Sequence, residues 1–354
     1  MSLFSRMVRR FAPWGGYALA RQLCRNEPRI LMYHRFSDPP VRGWTSPAFF
    51  EAQVRHIRRH YQPMTLASLM QHRDRTGSMP PHAVVVTVDD GYRDFYQLAF
   101  PILRHYGVPA TLYATSGFVD QRLWLWPDKV TWLLSQVHSL AEPLQRPGFS
   151  TDPGVLTEPR RRQLWHQLIH HLLSLPDAEK HRCIESLYRE LKVSLPEQAP
   201  AGFEAMSWDQ LREVQEAGIE VGGHTQTHPS LGQVSDTQAR EEIHGCHTEL
   251  IRQLGPRPRT FCYPNGQPGD LTPRLQPLVA EAGFLGAVTA FPDALGCRHR
   301  YALRRHVSGD DMFQFHKSVS GLEYLGHRLR RNVRMTVGTQ GQPEAVSVAG
   351  SGSR

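Results

Sequence analysis

The sequence AVVVTVDDGY, residues 83–92, decides the fold of this chain. It opens with an unbroken run of apolar and β-branched residues, which is typical of a strand buried on both faces of a parallel sheet. Asp89, Asp90 and Gly91 follow at once, so the strand is predicted to deliver two carboxylates to a turn at its carboxyl end. Side chains of adjacent residues point in different directions, so one carboxylate can bind a metal while the other faces a substrate water. Taken alone, these residues favour the simpler interpretation of a turn with a helix-capping aspartate.

A second local pattern occurs three times, and in each case a predicted helix stops at a glycine that an apolar strand follows. The glycines are Gly107, Gly218 and Gly283, and glycine suits the left-handed conformation at a helix end. Alternation of helices and strands predicts parallel strands joined by right-handed crossovers, in a doubly wound sheet or a barrel. In both architectures, functional groups gather at the carboxyl ends of the strands. The predicted strands cover residues 30–33, 83–88, 108–115, 219–222 and 284–290, and helices begin at Ser46 and Ser207.

Composition divides the chain into segments. Residues 1–28 are a basic N-terminal segment, and the predicted α/β domain follows it. Within that domain, residues 124–200 lack the glycine-to-strand pattern and contain several prolines, so we expect a helical insertion without strands. Residues 326–354 are basic at first, and from Gly338 they are rich in Gly, Ser and Gln, which predicts disorder.

A histidine pair follows the predicted strand 219–222. His224 and His228 are four residues apart among small polar residues. Imidazoles at short spacing are common ligands of divalent metals, although a chain with 19 histidines also carries many that are solvent-exposed or packed. The position at a strand end favours metal ligation. Two histidines and one carboxylate form a facial triad that leaves coordination positions open for water and substrate.

A third strand end is predicted in TFCYPNG, residues 260–266. A sharp turn there would place backbone N–H groups where an oxyanion develops. The local sequence also fits an ordinary Pro-Asn-Gly turn, and these residues alone favour that simpler interpretation.

Together, these motifs resemble those of the polysaccharide deacetylase (NodB-homology) family over about residues 29–325. Residues 87–92 resemble the family's first motif, T-F-D-D-G, and residues 224–228 resemble its second, H-(S/T)-x-x-H. Residues 261–266 are similar to a variant third motif, F-A-Y-P-x-G, and residues 303–305 and 315–321 are similar to the end of exopolysaccharide-cluster members. The resemblance implies an α/β fold, a distorted (β/α) barrel with fewer than eight regular units.

The resemblance also implies roles for individual residues. It implies a divalent metal held by Asp90, His224 and His228, with Asp89 as the general base and the backbone N–H of Asn265 at the oxyanion. Zinc is the first candidate for the metal, and cobalt, nickel and iron are alternatives for this ligand set.

Two positions depart from the family pattern. Cys262 stands where many members have an arginine that orients the base, and Arg304 or Arg305 is the candidate replacement. The late L-x-H motif that supplies a general acid in many members has no clear counterpart. The sequence YHR around His34 resembles the Y-H-(D/R) motif of members with permuted motif order, so we expect His34 to be the general acid, with His306 as the alternative.

The predicted reaction is the hydrolysis of N-acetyl groups on the amino sugars of a polysaccharide or of its biosynthetic precursor. The alternatives are deacylation of a small or lipid-linked sugar, cleavage of an O-acetyl ester, and a non-catalytic carbohydrate-binding barrel. A degenerate binding protein would lack a metal ligand or the base. All four residues are present in this chain, which favours the enzyme.

Composition excludes some partners. The net charge is +8, but Lys and Arg are dispersed and no zinc-finger or RNA-binding motif occurs, so no nucleic-acid partner is expected. No apolar stretch is long enough to span a membrane. Five cysteines without a C-x-x-C pair favour a reducing, cytoplasmic compartment. Residues 1–20 form either a weak signal peptide or, as we favour, a retained basic segment in peripheral contact with the inner membrane.

Overall fold

The structure is a computed structural model that describes residues 15–256, 259–309 and 311–337. These residues form twelve strands: β1 (Arg29–Tyr33), β2 (Gln62–Pro63), β3 (Ala83–Val88), β4 (Ala110–Ala114), β5 (Ser139–Leu140), β6 (Leu144–Arg146), β7 (Phe149–Thr151), β8 (Gly154–Val155), β9 (Glu220–Gly223), β10 (Thr260–Cys262), β11 (Gly286–Val288) and β12 (His306–Val307). Eight of them make one parallel sheet in the order β11-β10-β9-β4-β3-β1-β12, with β2 beside the start of β3.

The segment that leads into β12 closes this sheet. Leu303 pairs with Val288 of β11, and the two residues of β12 pair with Leu31 and Met32 of β1. One stretch of chain therefore bridges the two edge strands. The predicted distorted (β/α) barrel is confirmed.

Strand β3 is covered on both faces, and all six of its residues are buried. Val84, Val86 and Val88 pack in the outer core, between the sheet and the surrounding helices. Val85 packs on the other face, in the barrel interior beside Tyr113. Because side chains alternate along a strand, the run of valines fills both cores.

Thirteen α-helices accompany the strands in the described residues. The capping predicted for two of them is present. Ser46 accepts the backbone N–H of Phe49 with Pro47 in the first turn, and Ser207 forms a capping box with Gln210. The helices are α1 (Gly16–Leu23), α2 (Pro47–His60), α3 (Leu66–Thr76), α4 (Phe100–Tyr106), α5 (Ser116–Val119), α6 (Trp126–Gln136), α7 (Glu158–Ser174), α8 (Asp177–Glu190), α9 (Trp208–Glu216), α10 (Asp236–Leu254), α11 (Leu275–Glu281), α12 (Met312–Ser320) and α13 (Leu322–Val337), with a π-helical segment at Phe95–Ala99 and a 3₁₀ turn at Leu231–Gln233.

The three predicted helix-to-strand connections are confirmed. Gly107, Gly218 and Gly283 have φ angles of 60°, 94° and 97°, and they precede β4, β9 and β11. A side chain would be strained at these angles, so glycine lets each helix end and the chain turn back into the sheet.

Helix α3 covers the amino end of the barrel. The carboxylate of Glu220, the first residue of β9, accepts the backbone N–H of Ala67 at 2.8 Å. It also accepts the hydroxyl groups of Thr111 and Thr260 at 2.9 and 2.6 Å. Because this end is filled, the carboxyl end of the barrel is the one available for a functional site.

The insertion differs from the prediction. It contains helices α6, α7 and α8, but also two antiparallel pairs, β5 with β8 and β6 with β7. Pro143, Pro147, Gly148, Pro153 and Gly154 lie between α6 and α7, and the short segments there pair as nested hairpins. The expectation of helices without strands is therefore wrong for residues 139–155. A separate apolar core that includes Leu133, Leu168 and Leu187 holds the insertion together.

Helix α1 lies within the segment 1–28, and it packs against α12 and α13. None of the described helices is both long enough and apolar enough to cross a membrane. Residues 1–14, and the tail from Gly338 for which disorder is predicted, lie outside the described residues.

Candidate metal centre and active site

Side chains from three strands meet at the carboxyl end of the barrel. Asp89 and Asp90 follow β3, His224 and His228 follow β9, and His34 follows β1. The structure therefore brings together the residues that the sequence placed at separate strand ends.

The three predicted metal ligands converge on one point. Asp90 Oδ1 lies 3.3 Å from His224 Nε2 and 3.4 Å from His228 Nε2. All three residues are buried, and one ligand atom from each lies within 4.8 Å of the others. Burial by itself would raise the pKa of Asp90, but hydrogen bonds from the two histidines hold this pKa well below its ordinary value. An ionised carboxylate and two imidazole nitrogens that face one point fit a divalent cation.

The ring of His224 is oriented by β10. Its Nδ1–H donates to the carbonyl oxygen of Cys262 at 2.8 Å, which leaves Nε2 as the free ligand atom. His228 Nδ1 is buried without a hydrogen-bond partner among the described residues. Burial lowers the pKa of His228, which favours the neutral imidazole that a metal binds.

The backbone around this cluster adopts left-handed conformations. Asp90, Thr225, His228 and Asn265 have φ angles of 77°, 65°, 60° and 57°. Residues other than glycine adopt such angles rarely, at about 1–3 kcal/mol each, and they do so where the surrounding structure requires it. Their concentration around one cleft supports a functional role for the site.

Hydrogen bonds hold the loop between the two histidines. The buried carboxylate of Glu242 in α10 accepts the backbone N–H groups of Gln226 and Thr227 at 2.8 and 2.9 Å. The Thr225 hydroxyl accepts the backbone N–H of His228 at 3.0 Å. Glu242 carries no signal in the sequence, because nothing in α10 distinguishes it from a surface glutamate.

Asp89 forms a bidentate ion pair with Arg305. The guanidinium Nη1 and Nη2 donate to Asp89 Oδ1 and Oδ2 at 2.6 and 2.7 Å, and both side chains are almost completely buried. Arg305 Nε donates to the carbonyl oxygen of Thr289 at 2.6 Å. Burial by itself would raise the pKa of Asp89, but Arg305 and then His34 lower this pKa below its ordinary value. Asp89 is therefore ionised, and its carboxylate plane is fixed.

The arginine beside Cys262 is Arg305. Its Nη2 donates to Cys262 Sγ at 3.2 Å, so the guanidinium lies next to the position where the family pattern has its arginine. Arg304 instead pairs with Asp293, with 2.8 Å between Nε and Oδ2. The two arginines are adjacent in the sequence and so equally placed there, whereas in the structure their side chains point to opposite sides of the chain.

Only one of the two candidate acids reaches Asp89. His34 Nε2 lies 3.4 Å from Asp89 Oδ2, and the His34 side chain is 46% exposed. His306 is buried and pairs through Nδ1 with Glu323 of α13 at 2.7 Å. The structure thus places His34 at the site and engages His306 elsewhere.

Asn265 lies in the turn that follows β10. Its side-chain Nδ2 donates to Ser230 Oγ at 3.1 Å. Its backbone N–H donates to no group among the described residues, so it is available to a ligand.

A cluster around Arg35, which the sequence analysis did not identify, supports the loop after β1. The Arg35 guanidinium lies 3.8 Å from the ring centroids of both Trp44 and Tyr92, and its Nε donates to Asp94 at 2.7 Å. The Tyr92 hydroxyl donates to Asp128 of α6 at 2.7 Å. Burial raises the pKa of Asp128 to about 7, and Arg35 opposes this rise. The insertion is therefore tied directly to the chain segments that carry His34 and the two aspartates.

A parallel barrel with an Asp-His-His cluster and an ion-paired carboxylate at its carboxyl end is the architecture of a barrel hydrolase. The polysaccharide deacetylase family matches residues 76–151 and 174–285, which is more than half of the chain. The chain therefore belongs to the polysaccharide deacetylase family, whose members are hydrolases that act on the carbon–nitrogen bonds of N-acetyl groups.

Two curated relatives match shorter stretches. The chain is 39% identical over 87 residues to the putative polysaccharide deacetylase YxkH of Bacillus subtilis (strain 168), which is 24% of this chain and 30% of that protein. It is 38% identical over 60 residues to the poly-beta-1,6-N-acetyl-D-glucosamine N-deacetylase of Escherichia coli (strain K12), which is 17% of this chain and 9% of that protein. Less than a third of either relative is therefore matched.

Among solved structures, IcaB from Ammonifex degensii has a similar fold. It superposes with a TM-score of 0.51 at 18% sequence identity, and the match covers 83% of this chain and 97% of that one. At this identity, the similarity supports the fold alone.

Proposed function

We propose that this protein is a metal-dependent deacetylase that hydrolyses N-acetyl groups on the amino sugars of a polysaccharide or of its biosynthetic precursor. The observation that carries the proposal is the convergence of Asp90, His224 and His228, whose ligand atoms lie within 4.8 Å of one another. The neighbouring carboxylate, Asp89, is ionised and oriented by Arg305.

Asp90, His224 and His228 would hold the cation. Zinc is the first candidate, because two imidazoles and one carboxylate are ligands that it prefers. A bound divalent cation supplies Lewis-acid polarisation of the acyl oxygen and of the attacking water. Because the protein would supply only three ligands, coordination positions would remain for the acyl oxygen and for the attacking water.

Asp89 is the proposed general base. Its carboxylate is ionised and buried, so it can accept the proton of the attacking water. The two hydrogen bonds from Arg305 fix the direction in which its remaining lone pairs point. The free backbone N–H of Asn265 is proposed to donate to the oxyanion that develops on the acyl group.

His34 is the proposed general acid. An amine is a poor leaving group as an anion, so the departing nitrogen needs a proton, which protonated His34 would donate. His34 lies 3.4 Å from Asp89, so acid and base can act on the same substrate bond. Its 46% exposure allows the imidazole to recover a proton from solvent.

Polymers of N-acetylhexosamine are the first substrate class that we propose. The Escherichia coli relative is named as a deacetylase of such a polymer, which supports this choice of substrate class, although the match covers only 9% of that protein. Lipid-linked and nucleotide-linked N-acetylhexosamines belong in the same activity screen, with each candidate metal supplied in turn.

Variants of the site test the mechanism. Asp89→Asn should keep the metal and lose nearly all turnover, because the base is lost and the ligands remain. His224→Ala should lose both metal and turnover. The solvent-exposed His105 provides a matched control, since His105→Ala should change neither. Metal content of the purified proteins and acetate release from N-acetylated sugars are the measurements. Full activity in Asp89→Asn, or a full metal content in His224→Ala, would contradict the proposal.

A further inference from the structure

Helix α1 turns leucines toward solvent. Leu19 and Leu23, one helical turn apart, are 62% and 66% exposed, whereas Ala20 and Cys24 are buried. A surface helix normally buries its apolar face and exposes its polar one. Helix α1 therefore has an apolar stripe on its exposed side.

Helix α13, which packs against α1, adds a third leucine. Leu329 is 64% exposed and lies between the exposed residues Arg328 and Arg330. Burial raises the pKa of the Cys24 thiol at the end of α1, and Arg29 and Arg328 oppose this rise, so the charge of Arg328 lies near that end. We define the α1–α13 surface by exposed residues of this packed helix pair and of the turn after α1: Leu19, Leu23, Arg25, Arg328, Leu329 and Arg330.

The arginines of the α1–α13 surface keep their charge unpaired. Within the described part of the chain, Arg25, Arg328 and Arg330 form no ion pair with a carboxylate. The carboxylate of α13, Glu323, is already engaged by His306 at 2.7 Å, and Glu27 adds one negative charge near Cys24 and Tyr324, against three arginines. The surface is therefore both apolar and positively charged.

The adjoining sequence has the same composition. Residues 1–14 contain three arginines and three aromatic residues without a carboxylate, and residues 331–337 contain two further arginines. A second copy of this chain, or residues 1–14 themselves, would bring like charge to the surface. An occupant that complements it must be anionic where the arginines lie and apolar where the leucines lie.

We propose that the α1–α13 surface binds an anionic phospholipid bilayer. The leucines would enter the boundary between headgroups and acyl chains, and the arginines would pair with lipid phosphates. The contact is peripheral and does not depend on the chemistry of the barrel site, which is carried by other elements.

Vesicle co-sedimentation of the full chain tests this proposal. The protein should sediment with vesicles of equimolar phosphatidylglycerol and phosphatidylcholine and remain free with phosphatidylcholine alone, and salt should weaken binding. The variants Leu19→Ser/Leu23→Ser/Leu329→Ser and Arg25→Gln/Arg328→Gln/Arg330→Gln should each bind at least about tenfold more weakly. Circular dichroism and turnover of a soluble substrate should match the wild type, which separates this proposal from the enzymatic one.

Exposed apolar residues elsewhere provide the matched control. Val41, Val155 and Leu195 are 48%, 67% and 36% exposed, and their replacement by serine should leave vesicle binding unchanged. Wild-type affinity in both surface variants would overturn the proposal, because the binding would then come from residues 1–14. A dimer in light scattering that the leucine variant dissolves would overturn it as well, since the surface would then join two copies. Failure of the wild type to bind anionic vesicles would also overturn it.

Discussion

Asp89 and Asp90 are neighbours in the chain, but they face different partners. Asp90 faces the nitrogens of His224 and His228, whereas Asp89 faces the guanidinium of Arg305. The left-handed φ of 77° at Asp90 turns the chain between them, so the two carboxylates diverge. Both are ionised, and ligand atoms lie near each of them. The group of Asp89, His224 and Cys262 also contains the Arg305 guanidinium, which donates to Asp89 and Cys262, whereas the group of Asp90, His224 and His228 contains no such cation among the described residues. This divergence allows two neighbouring residues to take the two proposed roles, Asp90 as a metal ligand and Asp89 as the general base.

Removal of Arg305 should be strongly destabilising. Arg305→Gln leaves Asp89 buried without its cation, and breaking a buried pair in this way costs about 3–5 kcal/mol. Arg240→Gln is the control, because Arg240 and its partner Glu281 are 51% and 50% exposed and such a surface pair contributes about 0–1 kcal/mol. Urea unfolding of the two variants measures both losses. Equal losses would show that Asp89 does not depend on Arg305.

At the scale of elements, strand β9 depends on its two glycines. A Cβ atom at Gly222 would lie 2.5 Å from the carbonyl oxygen of Thr260, and one at Gly223 would lie 2.7 Å from the ring of Phe284. These contacts are too close for any side chain. Neighbouring strands and the core therefore approach β9 closely just before His224, which fixes where the histidine loop begins.

Gly222→Ala should therefore destabilise the protein by about 1–3 kcal/mol, because an overpacked core must shift or strain. It should also weaken metal binding, since β9 leads directly into His224. Gly269→Ala is the matched control, because a Cβ atom there would meet nothing within 4 Å and its φ is not left-handed. Denaturant midpoints and metal titration measure the two effects. A Gly222→Ala protein as stable as Gly269→Ala would contradict the close packing.

The sequence predicted several elements well because their causes are local. The helix caps at Ser46 and Ser207 and the glycine turns depend on residues a few positions apart. The hairpins of the insertion were missed because short strands depend on pairing partners, which local periodicity does not show.

At the scale of the whole molecule, acid should weaken the docking of α1, α2 and α12. Burial lowers the pKa of His56 in α2 to about 3 from 6.5, and His316, His60, Arg21 and Arg59 add to the shift. His56 is thus neutral in the folded protein, while the unfolded chain binds a proton below about pH 6.5. Stability should therefore be full above pH 6.5 and fall progressively as the pH decreases toward 3.

Replacement of His56 should reduce this acid sensitivity. The difference between urea midpoints at neutral and mildly acidic pH should be smaller for His56→Gln than for the wild type, because one buried group no longer takes up a proton on unfolding. His105→Gln, at a solvent-exposed position, should keep the wild-type difference. An unchanged pH dependence in His56→Gln would show that other groups control acid unfolding.

The sequence by itself determined the parallel α/β class, the two carboxylates after β3 and the histidine pair after β9. Each of these follows from a strand and the few residues behind it, and parallel strands bring their carboxyl ends to one edge. Tertiary structure alone decided that Arg305 holds Asp89, since the two lie 216 positions apart, and that His34 rather than His306 reaches Asp89. The exposure of Leu19 and Leu23 in α1 is likewise visible only in the tertiary structure. These outcomes depend on which elements pack together in space, and such contacts leave no local pattern in the chain.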